Sequence, residues 1–186
     1  MNDMNVLGIS GSLRQGSFNT AALQAAMELA PPGMRIEPAD IRDIPLYDED
    51  LRAKGFPAPV ERLREQIRRA DALLIVTPEY NYSVPGVLKN AIDWASRPPE
   101  QPFAGKPTAI MGASPGFTGS ARAQYHLRQM FVYLDAMILN RPEVMIAGAH
   151  ERFDASGHLT HDATREIIRQ LLTALAAWTR RLQLQK

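Results

Sequence analysis

"LGISGSLRQGSFN", Leu7 to Asn19, is a short apolar run that breaks into glycines and hydroxyls and then opens a helical pattern. Gly11 and Gly16 bracket four residues, which is the spacing of a P-loop. Where that motif places Lys and then Ser or Thr, this chain has Ser17 and Phe18. Glycines at Gly8, Gly11 and Gly16 also miss the G-x-G-x-x-G dinucleotide spacing. The stretch reads as a strand, a phosphate-type loop and a helix start. It lacks the lysine and the metal-binding hydroxyl that phosphoryl transfer requires.

Outward from this stretch, strand and helix patterns alternate. Asn5–Ser10 reads as a buried strand. Leu23, Met27 and Ala30 then recur at helical spacing over Asn19–Ala30, with Asn19 or Ser17 as the N-cap and Pro31–Gly33 as the stop. Met34–Asp40 reads as a second strand, followed by a long loop over Ile41–Pro59 rich in Pro and acids; loops of that length are usually functional or exposed. Val60–Arg69 is helical. "ADALLIVTP", Ala70–Pro78, is a continuous apolar run of the kind found in a central parallel strand covered on both faces.

Val84–Ser96 carries Val84, Leu88, Ile92 and Ala95 on one helical stripe, with Pro85 suited to the first turn. Lys106–Ser114 is the fourth strand and Ser120–Leu134 the next helix. Ala136–Asn140, with Glu143–Ile146, makes a fifth strand. Thr160–Leu184 is a long amphipathic helix with Ile167, Leu171, Leu175, Trp178 and Leu182 on its apolar face. Strict alternation predicts an α/β fold: a five-stranded parallel sheet with helices on both faces, as one domain spanning 1–186. A phosphate-type loop after the first strand favours the flavodoxin-like order 2-1-3-4-5, with ligands beyond the carboxyl ends of the strands.

Composition removes several function classes. The 186 residues include 45% apolar and 22% charged side chains, and the 21 basic and 20 acidic residues give a net charge of +1. Basic residues are scattered, unlike a nucleic-acid or membrane footprint. The absence of cysteine excludes disulfides, thiolate metal sites and cysteine catalysis. No run approaches the roughly 20 apolar residues of a membrane span. "MNDMNVLGIS" has no basic segment before an apolar one, so the cytoplasm is the expected location.

Three loops converge in the expected topology. In the first, Gly11 and Gly16 allow close backbone approach, while Ser10, Ser12, Ser17, Asn19 and Thr20 offer side-chain donors. Helix N–H groups point inward, and Arg14 can add a charged fork. This equipment suits a terminal monophosphate bound without a metal. The second loop, "TPEYNYSVPG" (Thr77–Gly86), offers N–H groups over Glu79–Tyr82 and two tyrosine rings to a flat heterocycle. The third, "GASPGFTGSAR" (Gly112–Arg122), leaves room for a ring edge at Ser114, Gly116 and Gly119, with Ser120 a possible helix cap. No acid–base pair is evident, as expected where a cofactor carries the chemistry. His158 and His161, beside Asp154 and Asp162, read as exposed turn residues rather than a metal site, and no metal ligand is assigned. His126 and His150 stand alone.

"GSLRQGSFN" (Gly11–Asn19), "PEYNYSVPGVLKNAIDW" (Pro78–Trp94) and "ARAQYHLRQ" (Ala121–Gln129) resemble the NADPH-dependent FMN reductases, most of all the bacterial quinone and chromate reductases. The similarity runs from the first strand to the last helix. It implies bound FMN and electron transfer from NADPH or NADH to quinones, free flavin, azo dyes or metal oxyanions such as chromate. By this likeness Ser12, Arg14, Gln15, Gly16, Ser17, Phe18 and Asn19 hold the FMN phosphate, Glu79, Tyr80, Asn81 and Tyr82 face the ring, and Ser114 meets its far edge. No catalytic acid or base is assigned. Ser120 stands where many relatives have the second of two glycines, which alters the third loop. The family also implies a homodimer or homotetramer, with Arg122, Tyr125 and Glu143 in a polar network between subunits. The alternative is a flavodoxin-like electron carrier without its own NAD(P)H reaction; such carriers are strongly acidic, unlike this chain.

Overall fold

A computed structural model describes residues 3–184. The sheet is built from β1 (Met4–Ser10), β2 (Met34–Ala39), β3 (Ala72–Val76), β4 (Pro107–Ala113), β5 (Met137–Ile138) and β6 (Val144–Ile146). Helices α1 (Phe18–Glu28), α2 (Glu49–Arg52), α3 (Ala58–Arg69), α4 (Gly86–Ala95), α5 (Ala121–Tyr133) and α6 (Asp162–Gln183) fall between and after them. All strand pairs are parallel, in the order β2-β1-β3-β4-β5, which is the flavodoxin-like arrangement.

Every residue of β3 and β4 is buried, because both faces of the sheet are covered. The side-chain period of two splits each strand between two cores. Leu74, Val76 and Met111 pack with Leu23 of α1 and Leu172 and Leu175 of α6. Leu73, Ile75 and Ile110 pack with Leu63 and Ile67 of α3, Leu88 and Trp94 of α4, and Phe131 of α5.

The fifth position differs from the expected single strand. β5 pairs with the start of β4, through Pro107 and Thr108, and β6 with its end, through Met111, Gly112 and Ala113. The sheet thus has six strands, two of them short and sharing one edge of β4. Pro142, between them, has no N–H to give a ladder.

Smaller shifts have local causes. Pro85 precedes α4 as its N-cap residue instead of sitting in the first turn. α6 begins at Asp162, where the His161 side chain accepts from the Thr164 N–H. The buried stripe of α6 runs through Ile168, Leu171, Leu172, Leu175 and Ala176, so Ile167, Trp178 and Leu182 are only half-buried at its margins. The long Ile41–Pro59 excursion contains α2 and is tied down: the Pro45 carbonyl accepts from Asn90 Nδ2 and Trp94 Nε1, both at 2.8 Å. No helix among the described residues is long and apolar enough to cross a membrane.

The tightest crossing lies at the carboxyl end of β4. A Cβ on Gly112 would meet Ser120 Oγ at 2.0 Å and the Thr77 carbonyl oxygen at 2.1 Å. Gly112→Ala should therefore force β3, β4 and the α5 entry apart, at a cost of about 1–3 kcal/mol. Gly86→Ala, at a helical position where the added methyl meets nothing within 4 Å, is the control. Urea denaturation of both variants checks the contrast; equal stabilities would show that the crossing tolerates a methyl group.

Candidate functional site

The parallel sheet brings the loops after β1, β3 and β4 to one edge. The first, Gly11–Ser17, leads into α1. Gly11 N–H donates to the Val76 carbonyl at 2.8 Å, which ties the loop to β3. A Cβ on Gly11 would sit 3.0 Å from Leu88 and 3.3 Å from Pro78, so the loop lies close against the β3–α4 connection. Ser17 caps α1 by accepting from the Asn19 N–H at 3.2 Å. Gly16 has φ +64° and faces open space. The N–H groups of Gln15, Gly16, Ser17 and Phe18 find no acceptor among the described residues. A turn of unpaired donors at a helix N-terminus is an anion cradle.

The side chains of this loop divide into two groups. Arg14 and Gln15 are exposed, and Arg14 Nη2 donates to the Gly16 carbonyl at 2.8 Å. The Arg14 guanidinium also lies 5.8 Å from the Phe18 ring centroid, and Phe18 packs on Phe153. Ser12, Ser17 and Asn19 are buried. Asn19 faces inward: Nδ2 donates to the Ala113 carbonyl and Oδ1 accepts from the Ala113 N–H, both at 2.9 Å. Its side chain thus mimics a peptide and joins the first loop to the third.

The second loop folds on itself. Tyr80 and Ser83 exchange both main-chain hydrogen bonds, at 3.1 and 2.9 Å. Between them Asn81 and Tyr82 have φ +48° and +66°. Two positive φ values make a type I′ turn, a costly conformation for a tyrosine. Arg122 offsets that cost, since its guanidinium lies 3.8 Å from the centre of the Tyr82 ring. Tyr80 and Tyr82 are 50% and 66% exposed, so neither is a core residue. The N–H groups of Glu79, Asn81 and Tyr82 have no acceptor among the described residues.

The Glu79 carboxylate makes bonds that the sequence does not disclose. Its side chain reaches α5 and serves as that helix's cap. Oε2 accepts from the N–H groups of Arg122 (2.9 Å) and Ala123 (3.3 Å), and Oε1 from Arg122 Nη1 (2.8 Å). Ser120, the expected cap, has φ +70° and makes no capping bond. Its hydroxyl instead accepts from the buried Gln124 Nε2 at 3.2 Å. A carboxylate borrowed from a loop far away in sequence leaves no local signature. Arg122 is therefore occupied within its own chain, whereas Tyr125 is exposed and Glu143 half-buried.

In the third loop Ser114 exchanges main-chain bonds with Ile146 and Ala149, both 3.0 Å, and its hydroxyl accepts from the Gly116 N–H at 3.1 Å. Gly119, at φ +56°, lies so close to Met145 that a Cβ would come within 2.5 Å of its carbonyl carbon. Away from this edge, His158 meets Asp154 at 3.4 Å and His161 meets Arg152.

Burial works to raise the Glu79 pKa, yet the Arg122 guanidinium and the two helix N–H groups hold it below the ordinary carboxylate range. A group with a lowered folded pKa stabilises above its unfolded value and loses that contribution as pH falls through the folded one. Glu79→Gln should cost about 1–3 kcal/mol at neutral pH. The difference from the unaltered protein should shrink in acid, below the ordinary Glu pKa. A pH-independent difference in denaturation midpoints would contradict the charged cap.

Comparison with known proteins is consistent along the chain. An NAD(P)H-dependent FMN reductase of Pseudomonas aeruginosa is 68% identical over 181 residues, covering 97% of this chain and 98% of that protein. A quinone reductase of Escherichia coli is 48% identical over 184 residues, covering 97% and 98%. The solved flavoenzyme NAD(P)H:(acceptor) oxidoreductase of Paracoccus denitrificans superposes with a TM-score of 0.87 at 36% identity, over 96% of this chain and 98% of that one. The family model for NADPH-dependent FMN reductases matches residues 4–151, the span that contains all three loops, and the chain belongs to that family.

Proposed function

We propose that this chain binds FMN along the carboxyl edge of its sheet and uses it to pass electrons from NAD(P)H to small acceptors. The observation that carries this reading is the set of four unpaired N–H groups from Gln15 to Phe18, beside exposed Arg14, at the start of α1. A metal-free phosphate monoester matches that donor set. Ser12, Arg14, Gln15, Gly16, Ser17, Phe18 and Asn19 hold the phosphate end in this reading, with Asn19 acting through its bonds to Ser17 and Ala113, which fix the loop. Glu79, Tyr80, Asn81 and Tyr82 line the ring, and Ser114 borders its far edge.

FMN, when bound, would supply two-electron hydride chemistry between nicotinamide and acceptor. The chain's own residues position and polarise. The free N–H groups of Glu79, Asn81 and Tyr82 would be donors for the negative charge that reduction brings onto a flavin held beside them. The Glu79 carboxylate is neutralised by Arg122 and the α5 N-terminus, so it places no uncompensated anion there. Tyr80 and Tyr82 are exposed, so a ring held beside them would present a face that nicotinamide and acceptor could occupy in turn.

The named relatives support quinones as an acceptor class. Free flavin, azo dyes and chromate are further acceptors that an open face would admit. Residues 1–186 form one FMN-binding unit in this proposal, located in the cytoplasm. It assembles as a homodimer or homotetramer, with Tyr125 and Glu143 available to a second subunit. Arg122 can join them only while keeping its bond to Glu79. A net charge of +1 and kinship with NAD(P)H-dependent enzymes both disfavour a passive electron carrier.

Arg14→Ala should weaken FMN binding by about ten- to a hundredfold, equivalent to the roughly 1.5–3 kcal/mol of a charged hydrogen bond. Fluorescence titration of the FMN-free protein measures it, and unchanged affinity would remove Arg14 from the phosphate site. Initial rates with NADPH and a quinone should give parallel double-reciprocal lines. Intersecting lines would mean that donor and acceptor bind together.

A further inference from the structure

Reduction of a quinone to a hydroquinone adds two electrons and two protons. A hydride brings both electrons and one proton. The remaining proton must come from a donor that solvent can recharge. The Ser83 hydroxyl lies 2.9 Å from His126 Nδ1, at the base of the Tyr80–Ser83 turn. His126 is exposed on α5, one turn beyond Arg122, the residue that stacks on Tyr82. The other three histidines, His150, His158 and His161, belong to the segment between β6 and α6. His126 is therefore the histidine tied to the ring-side loop, and an imidazole can take a proton at one ring nitrogen while giving one up at the other.

We propose that Ser83 and His126 form a relay that supplies the second proton to the acceptor. The step rests on the oxidoreductase reading above. Hydride delivery to one quinone oxygen forms the first O–H bond and leaves the opposite oxygen anionic. That oxygen takes the proton of the Ser83 hydroxyl. The Ser83 oxygen takes the Nδ1 proton of His126 while a solvent hydronium ion protonates Nε2 of the exposed ring and leaves as water. No electrons move in these proton steps, and each O–H or N–H bond broken is matched by one formed. His126 acts through Ser83 and is a positioning and relay residue; Ser83 is the group that touches the acceptor.

The test compares a quinone with ferricyanide as acceptor, using holoenzyme carrying His126→Gln or Ser83→Ala. Ferricyanide takes electrons singly and binds no proton. The ratio of quinone to ferricyanide turnover should fall about ten- to a hundredfold in each variant. An unchanged ratio, including equal losses with both acceptors, would overturn the relay. A second measurement needs no cofactor: in FMN-free protein, Ser83→Ala should shift the nitrogen NMR resonance of His126 Nδ1. An unmoved resonance would show that the hydrogen bond is absent and would also overturn the proposal. Failure of the underlying reading looks different, because the unaltered protein would then oxidise no NADPH with either acceptor.

Discussion

The carboxamide of Asn19 spends both its hydrogen bonds on the main chain of Ala113. The pair is buried, so neither partner can turn to water instead. Leaving such a group unpaired costs about 1–3 kcal/mol. The bond fixes the start of α1 against the end of β4, and hence the phosphate-type loop against the Ser114 loop. Gly11 does the same for the third element, through its N–H to Val76 at the end of β3. Three loops remote in sequence are thereby held as one edge.

A second brace works by charge. Glu79 leaves the ring-side loop to cap α5, and Arg122, held by Glu79, stacks on Tyr82. The strained turn at Asn81 and Tyr82 persists because that stack and the paired Tyr80–Ser83 main chain over-determine it. Both braces are local devices that keep a pliable, glycine-containing edge in one shape before any ligand arrives. Preorganisation of this kind lets main-chain dipoles act on a cofactor without reorganising at the moment of reaction.

Much of the fold was legible in the chain because its signals are local. The uninterrupted apolar runs of β3 and β4 announced buried parallel strands, and the alternation of elements announced the layer order. The divided edge at β5 and β6 was not readable as two strands. Its cause is which part of β4 each fragment meets, and that is a tertiary fact. Likewise Asn19 reads as one more loop donor until Ala113, distant in sequence, is seen beside it. The partners of the Glu79 carboxylate stay hidden until the α5 N-terminus appears next to it. His126 offered no motif at all, since its meaning depends on Ser83 lying across a gap between two elements. The glycines and the serine cap were legible because strand, turn and helix start are contiguous. Pairings between loops are what a single sequence conceals.

The central claim is that this edge holds an FMN which the chain itself reduces with NAD(P)H and reoxidises with a small acceptor. Anaerobic mixing of the FMN-loaded protein with one equivalent of NADPH tests it most directly. The yellow flavin absorbance should bleach fully and return when a quinone is added. A flavin that stays bound and yellow in the presence of both NADPH and NADH would contradict the claim and leave only an electron carrier.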